Sequence, residues 1–132
     1  MLDNKIAITF DSFDVLDRNK KNLIHQMRKV AYEGKVIVSI FDDFTTYSIT
    51  GSFPVQELLL RKKNINYFVD SIEEIKDKEM FLENLEDYLE ELKTEYGMKI
   101  VYVGYDDNKD FIGRSIIKKM GIPVKFIKKI QK

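Results

Sequence analysis

The chain has 132 residues, of which 44% are hydrophobic and 33% charged, and it contains no cysteine. These values fit one folded domain, spanning 1–132, and exclude a disordered chain, a disulfide scaffold, a zinc ribbon and a thiol nucleophile. The 22 basic and 22 acidic residues balance, so no general attraction to nucleic acid is expected. Polar residues interrupt the first apolar segment, and no run is long enough to cross a bilayer. We therefore expect a cytoplasmic protein that has no membrane partner.

The first half of the chain alternates predicted strands and helices. Residues 6–10 form a short apolar run that predicts a buried strand. Residues 20–32 carry apolar side chains at helical spacing, and Gly34 ends that helix. Residues 36–41 predict the second strand and 42–52 a polar loop. Pro54 then suits the first turn of the next helix.

The second half continues the same alternation. Residues 66–70 predict the third strand, 81–96 the longest helix, and 99–104 the fourth strand. A helix through 112–120 precedes the fifth strand at 124–127. This order is typical of an α/β protein with a Rossmann-like, doubly wound, five-stranded parallel sheet that has helices on both faces.

In such a sheet the ligand site lies beyond the carboxyl ends of the strands, where the strand order reverses. That rule points to the loops that follow Phe10, Phe41 and Gly104. Residues at the ends of two of these strands and in the loops that follow them are therefore the candidate ligand-binding residues. They are Phe10, Asp11, Ser12, Phe13, Asp14, Asp17 and Lys20 after the first strand, and Gly104, Asp106 and Asp107 after the fourth.

Three groups of segments, in the right order, carry a resemblance to a known family. Residues 8–17 resemble a G-T/S-F-D-x-L-H-x-G-H run. Residues 36–44, 54–57 and 68–70 resemble a strand, a P-x-x-E-R helix and a Y-V-D strand. Residues 101–107 and 120–124 resemble a V-x-G-D-D strand end and a G-I-x-V strand. The chain is thus similar to the cytidylyltransferases of the glycerol-3-phosphate type. The resemblance implies CMP transfer from CTP to a small phosphorylated alcohol, with Mg²⁺ accompanying the nucleotide in an active member.

The departures from that family concern the residues that handle phosphate. The H-x-G-H motif aligns with residues 14–17, Asp-Val-Leu-Asp, so both histidines and the glycine are missing. Ile8 replaces the opening glycine, Leu58 replaces the arginine, and residues 45–50 contain no base. The R-T-x-G-I-S-T element has no counterpart. Since nucleotidyl transfer is mostly electrostatic and positional chemistry, we predict a catalytically degenerate member with no identified catalytic residue and no evident cofactor.

Several candidates also have an ordinary structural interpretation. Asp11, Ser12 and Asp14 are expected either to bind a ligand, for example the edge of a nucleotide, or to cap nearby backbone amides. Arg18 and Lys20 either replace the histidines as anion binders or are solvated charges at a helix start.

His25 is the only histidine, and nothing in sequence pairs with it for catalysis or for a metal site. Asp106 and Asp107, with Asp110 nearby, either bind Mg²⁺ or cap a helix that begins near Lys109. We predict no resident metal site.

Residues 102–110 also resemble the last motif of haloacid-dehalogenase-like phosphatases, but residues 11–14 have the wrong spacing for the D-x-D nucleophile of those enzymes. This is a minor alternative. The main alternative is an active nucleotidyltransferase with an altered site, which transfers CMP from CTP to a small phosphorylated alcohol. The principal prediction is a scaffold, interaction or nucleotide- and phosphometabolite-binding domain. Its expected partners are a second copy, another protein, or a nucleotide or phosphorylated small molecule.

Overall fold

The computed structural model describes residues 3–130, so the first and last two residues of the predicted 1–132 domain lie outside it. The described strands form a parallel sheet in the order β3-β2-β1-β4-β5. They are β1 (Lys5–Asp11), β2 (Lys35–Phe41), β3 (Ser71–Ile75), β4 (Lys99–Tyr105) and β5 (Val124–Ile127). The helices are α1 (Arg18–Ala31), α2 (Asp43–Thr50), α3 (Leu58–Asn66), α4 (Lys78–Tyr96) and α5 (Arg114–Lys119). The predicted fold class is confirmed.

Alternation along the strands divides the core into two layers, since successive side chains point to opposite faces of a sheet. In β1, Ile6, Ile8 and Phe10 join the layer beneath α4 and α5. Ala7 joins the opposite layer, which includes Leu23 of α1. The central strands are buried on both faces, which explains their almost continuous apolar sequences.

The strand order reverses between β1 and β4. From β1 the chain proceeds outward through β2 to β3, and α4 then returns across the sheet to β4. The 19 residues of α4 span about 28 Å, enough to cross several strands. The carboxyl ends of β1 and β4 therefore flank the position where a doubly wound fold binds ligands.

The third strand does not lie where the sequence predicted it. Asn66 ends α3, and the strand begins at Ser71. Tyr67 is 90% exposed, so the aromatic residues that suggested a strand lie outside the sheet. Asp70 instead joins this turn to the start of β2, because its carboxylate accepts a 2.7 Å hydrogen bond from the Val36 amide. The real strand includes two glutamates, which an edge strand tolerates.

The polar loop predicted at 42–52 is also wrong, because it contains α2. The Asp42 side chain accepts a 2.7 Å hydrogen bond from the Thr45 amide and so caps the start of this helix. Gly51 ends it with a left-handed φ of 82°. Pro54 lies in the loop beyond, and α3 begins only at Leu58. None of the helices within residues 3–130 has the length and apolar character needed to cross a membrane.

Candidate functional site

Lys20 lies at the carboxyl end of β1 and is held by its neighbours there. Its ammonium forms an ion pair with Asp11, the last residue of β1. The same nitrogen is 5.3 Å from the ring centre of Tyr105 and 5.7 Å from that of Phe13. These contacts fall within the range of cation–π attraction. Lys20 thus lies beside Asp11, Phe13 and Tyr105, and the carboxylate of Asp11 neutralises its charge.

The end of β4 contains a second pair of opposite charges. Lys129 lies 3.0 Å from a carboxylate oxygen of Asp107 and 4.9 Å from the ring centre of Tyr105. The Tyr105 hydroxyl is buried without a hydrogen-bond partner among residues 3–130. Burial raises the pKa of Tyr105 well above its ordinary value, and the charges of Asp11, Asp17 and Asp107 raise it further. The phenol therefore remains protonated and is unsuited to act as a base near neutral pH.

The positions aligned with the two family histidines both have structural roles. Each oxygen of the Asp14 carboxylate accepts a 2.8 Å hydrogen bond, one from the Val55 amide and one from the Gln56 amide. Asp17 caps α1 by accepting a 2.9 Å hydrogen bond from the Lys20 amide. Between β1 and these caps, Phe13 is buried with a φ of 49°, uncommon for a side chain of this size.

Arg61 is the residue of this region that the sequence analysis missed. It is fully buried and donates four hydrogen bonds. Nη1 reaches the carbonyls of Ser12, at 2.5 Å, and Phe41, at 2.8 Å. Nε reaches the carbonyl of Gln56 at 2.9 Å, and Nη2 lies 2.7 Å from Asp43. Arg61 therefore joins the loop after β1 to the end of β2.

The spacing within α3 contains a signal that identifies Arg61. Leu58 and Ile65 are seven residues apart and face inward, which places Arg61 between them on the same side. Leu59 and Leu60 are exposed instead. Three consecutive leucines concealed this arrangement, because each of them is equally suited to the inner face.

Aromatic side chains fill the space above the sheet beside Gly104. A Cβ atom on this glycine would lie 2.8 Å from Cε1 of Tyr102. The Tyr102 ring stacks on Phe111, with ring centres 3.8 Å apart, and Phe10 packs against both rings and against Phe81. The glycine is therefore explained by the packing of an aromatic ring.

The acidic residues after β4 do not converge on a cation site. The helix that we predicted near Lys109 begins at Arg114, so Asp106 and Asp107 do not cap it. Asp110 pairs with Arg114 at 2.8 Å. Among residues 3–130, no group of three histidine, cysteine or carboxylate side chains is arranged to hold a metal ion.

Two other candidates lie on the solvent side of α1. Arg18 is exposed in its first turn. His25 is exposed further along the helix, in a shallow groove with Lys21 and Arg28, away from the carboxyl ends of β1 and β4.

Comparison with known proteins defines the fold class. The sequence matches no protein-family model and no curated protein. The structure is similar to a lipopolysaccharide core biosynthesis protein from Thermoplasma volcanium, with a TM-score of 0.62 and 19% identity over 97% of this chain and 98% of that one. A protein of unknown function from Archaeoglobus fulgidus has a TM-score of 0.61 and 14% identity over 94% and 87% of the two chains.

Pantothenate synthetase from Thermus thermophilus has the same architecture in a longer protein. The TM-score is 0.52 and the identity 12%, over 97% of this chain and 56% of the synthetase. The chain therefore shares a Rossmann-like α/β fold with these proteins. At these levels of identity the likeness defines the fold alone.

Proposed function

We propose that this chain is a non-catalytic, self-associating domain built on the nucleotidyltransferase-like fold. The observation that supports this most is the internal pairing of cations at the carboxyl edge of the sheet. Lys20 pairs with Asp11, Lys129 with Asp107, and Arg61 with Asp43. Phosphoryl chemistry needs cations directed at the developing negative charge. A nucleotide would have to break these pairs before it gained that stabilisation.

The carboxylates at the two histidine positions support the same conclusion. Asp14 and Asp17 are hydrogen-bonded to backbone amides in ways that suit anions. A triphosphate placed against them would meet like charge instead of a proton donor. The alternative of an active nucleotidyltransferase would need a different set of cations around the phosphates.

Nucleotide titration tests the loss of activity. The thermal unfolding midpoint is measured with CTP and with ATP, each with Mg²⁺, and pyrophosphate release is followed with CTP and glycerol 3-phosphate. A ligand at about 100 times its Kd would add about 2.7 kcal/mol to the free energy of unfolding. We expect no shift and no turnover.

Asp11→Asn is the matched variant, because it removes the carboxylate that neutralises Lys20. This variant is expected to gain anion binding relative to the wild-type chain. A wild-type chain that is stabilised by CTP, or that releases pyrophosphate, would show that the site is functional.

An uncharged segment, residues 44–56, presents an exposed aromatic surface (the 44–56 surface) that supports self-association; within it only Thr45 and Thr46 are buried. These thirteen residues contain no charged side chain, although charged residues make up 33% of the chain. Phe53 stacks on Tyr47, with ring centres 4.5 Å apart, and meets Phe44 edge to face at 5.9 Å. All three rings are exposed, Phe44 to 73%. Contiguous exposed aromatic groups of this kind are typical of interaction sites.

The charge pattern favours a second copy as the partner. A two-fold interface places the same surface patch on both sides. Charged groups of one sign in such a patch would therefore face groups of the same sign on the other copy. The side chains of the 44–56 surface avoid that repulsion because none of them is charged, and the neighbouring Asp14 carboxylate is engaged by the Val55 and Gln56 amides. An acidic or basic partner would find no complementary charge there.

Sedimentation velocity of the full chain tests this interface. The wild-type chain is expected to dimerise at micromolar concentration, and Phe53→Lys to shift it to monomer, because each copy would bury a charge. Tyr67→Lys is the control, since Tyr67 is an exposed aromatic residue outside the 44–56 surface. A wild-type chain that stays monomeric at about 1 mM, where even weak association with a free energy of about −4 kcal/mol is populated, would exclude self-association.

A further inference from the structure

A cavity of about 270 Å³ lies between the first turns of α4 and strands β2 and β3. It is on the opposite face of the sheet from α1 and is not lined by any of the paired cations at the carboxyl edge. Its walls are apolar, with Ile75 at the end of β3 and Met80, Phe81 and Leu85 on α4. This volume is just below the range of about 300–1,000 Å³ of drug-sized sites. It therefore suits a fragment-sized molecule with an apolar body.

Two hydroxyl-bearing residues line the deep side of the cavity. Ser39 is a polar residue within the otherwise apolar strand β2, and it is 3% exposed. Tyr88 reaches the same region from α4, and its buried hydroxyl lies beside the Ser39 side chain, although no group among residues 3–130 meets full hydrogen-bond geometry with it. A buried hydroxyl without a partner loses its hydration without compensation, at a cost of about 1–3 kcal/mol. A ligand that supplied the missing partner would recover part of that cost.

The mouth of the cavity is acidic. Glu73, Glu74 and Asp77 line it, against one lysine, Lys76. Glu74 is already engaged, at 2.7 Å from Lys62 and 3.9 Å from Lys76. Glu73 makes no ion pair within the described part of the chain. Glu73 and Tyr88 both line this cavity. Burial raises the pKa of Tyr88, and the nearby charge of Glu73 raises it further.

We propose that this cavity binds a small organic cation with an aromatic or cyclic body and a hydroxyl group at the end opposite its charge. The apolar walls take the body, the Ser39 and Tyr88 side chains meet the hydroxyl, and Glu73 attracts the cation at the mouth. Asp77, whose carboxylate also caps α4, adds to the negative charge there. This ligand carries the opposite charge to a nucleotide. The inference is therefore independent of the proposed loss of nucleotide chemistry.

Tyramine is a suitable probe, because it combines a phenol hydroxyl, an aromatic ring and an ammonium. 3-(4-Hydroxyphenyl)propionate is the matched control, since it keeps the phenol and reverses the charge. Binding to the full chain is followed by amide chemical-shift changes during titration. Tyramine is expected to bind with a Kd of about 1 mM or tighter, with the shifts concentrated at the cavity residues.

Two conservative variants locate the contacts. Glu73→Gln is expected to weaken tyramine binding by about 2- to 5-fold, because the lost ion pair is exposed. Tyr88→Phe is expected to weaken it by about 2- to 10-fold through loss of one hydrogen bond. Glu90→Gln, which removes an exposed carboxylate of α4 outside the cavity, should leave the Kd unchanged.

The spectra of the variants also report whether each of them is folded. Glu73→Gln alters an exposed side chain, so it remains informative if Tyr88→Phe disturbs the packing. Absence of tyramine binding up to about 10 mM, tighter binding of the propionate, or equal binding to wild type and both cavity variants would each overturn the proposal.

Discussion

Arg61 has the largest structural role of any single polar residue described near the carboxyl edge. Its guanidinium satisfies three backbone carbonyls that belong to different segments of the chain. Only a planar group with several fixed donors can reach all of them at once. A fourth hydrogen bond, from Nη2, goes to the carboxylate of Asp43 in the first turn of α2.

Replacing Arg61 should therefore destabilise the chain strongly. We expect Arg61→Ala to lower the free energy of unfolding by about 3–5 kcal/mol, because it leaves buried carbonyls and a carboxylate without partners. Arg61→Lys keeps the charge but not the planar set of donors of the guanidinium, and should cost about 1–3 kcal/mol. Urea denaturation measures both values. A loss below about 1 kcal/mol for the alanine variant would mean that water replaces the guanidinium without difficulty.

In contrast to Arg61, Tyr105 buries a hydroxyl that makes no stabilising hydrogen bond with the residues that the structure describes. Its hydroxyl has no partner within residues 3–130. Tyr105→Phe removes that hydroxyl and keeps the ring beneath Lys20 and Lys129. We expect the free energy of unfolding at neutral pH to stay constant or to rise by about 1 kcal/mol. Tyr47→Phe, on the exposed 44–56 surface, is the control.

The same substitution changes the response to alkaline pH. The pKa of Tyr105 is raised in the folded chain, so above about pH 10 an unfolded tyrosine releases a proton that the folded one keeps. The unfolded state then binds fewer protons, and stability falls as the pH rises. Tyr105→Phe should flatten that decline in urea denaturation series recorded from about pH 8 to about pH 11. An equally steep decline would assign it to other groups.

At the scale of elements, the tight start of the sheet depends on a glycine. A Cβ atom on Gly34 would lie 2.0 Å from the Lys5 carbonyl oxygen, where β2 begins beside β1. These are backbone atoms, so the overlap cannot be relieved by turning a side chain. The connection from α1 into β2 therefore tolerates no side chain at this position.

Gly34→Ala should cost about 3 kcal/mol through this overlap. Gly51→Ala is the contrasting variant, because Gly51 has a left-handed φ of 82° but nothing within 4 Å of the added Cβ. It should cost only about 1 kcal/mol. Thermal or urea denaturation of the two variants separates the steric reason for a glycine from the conformational one. Equal losses would contradict this distinction.

The sequence predicted the central elements well and the outer ones poorly, for identifiable reasons. β1, β2 and β4 are buried on both faces, so their apolar runs are continuous and easily recognised. β3 is an edge strand with two glutamates, and its role was assigned to the exposed aromatic residues just before it. α2 is short and rich in threonine, and only its cap Asp42 and its terminating Gly51 indicated a helix.

The sequence identified several residues of the candidate site but not the contacts that decide their roles. The sequence correctly placed Asp11, Asp14 and Lys20 in the region that follows the carboxyl end of β1. It did not identify the more distant contacts of Asp14 and Lys20, because Gln56 lies 42 residues from Asp14 and Tyr105 lies 85 residues from Lys20. Whether an aspartate binds a ligand or caps an amide depends on such distant groups, and local sequence carries little information about them.

At the scale of the whole molecule, the charge balance sets how association should respond to salt. The net charge is zero, and the 44–56 surface is uncharged. Long-range attraction and repulsion between copies are therefore weak from the outset. Added salt should therefore change the free energy of association only slightly.

We accordingly expect the dimerisation constant to change less than about 3-fold between low salt and about 0.5 M, since screening lengths of about 10 Å and below matter only for charged contacts. Sedimentation equilibrium at two salt concentrations measures this. A dimer that dissociates as salt rises would show that charged residues outside the 44–56 surface form the interface.

The carboxylate of Asp14 also has an evolutionary consequence. It receives two amide hydrogen bonds from residues 55 and 56, whereas a histidine offers at most one acceptor nitrogen. A histidine at position 14 would leave one of these amides without its partner, unless the later segment also followed a different path. Substitutions at position 14 and within 53–57 should therefore be contingent on each other. Among descendants of a common ancestor, these two segments are expected to covary even though about 40 residues separate them.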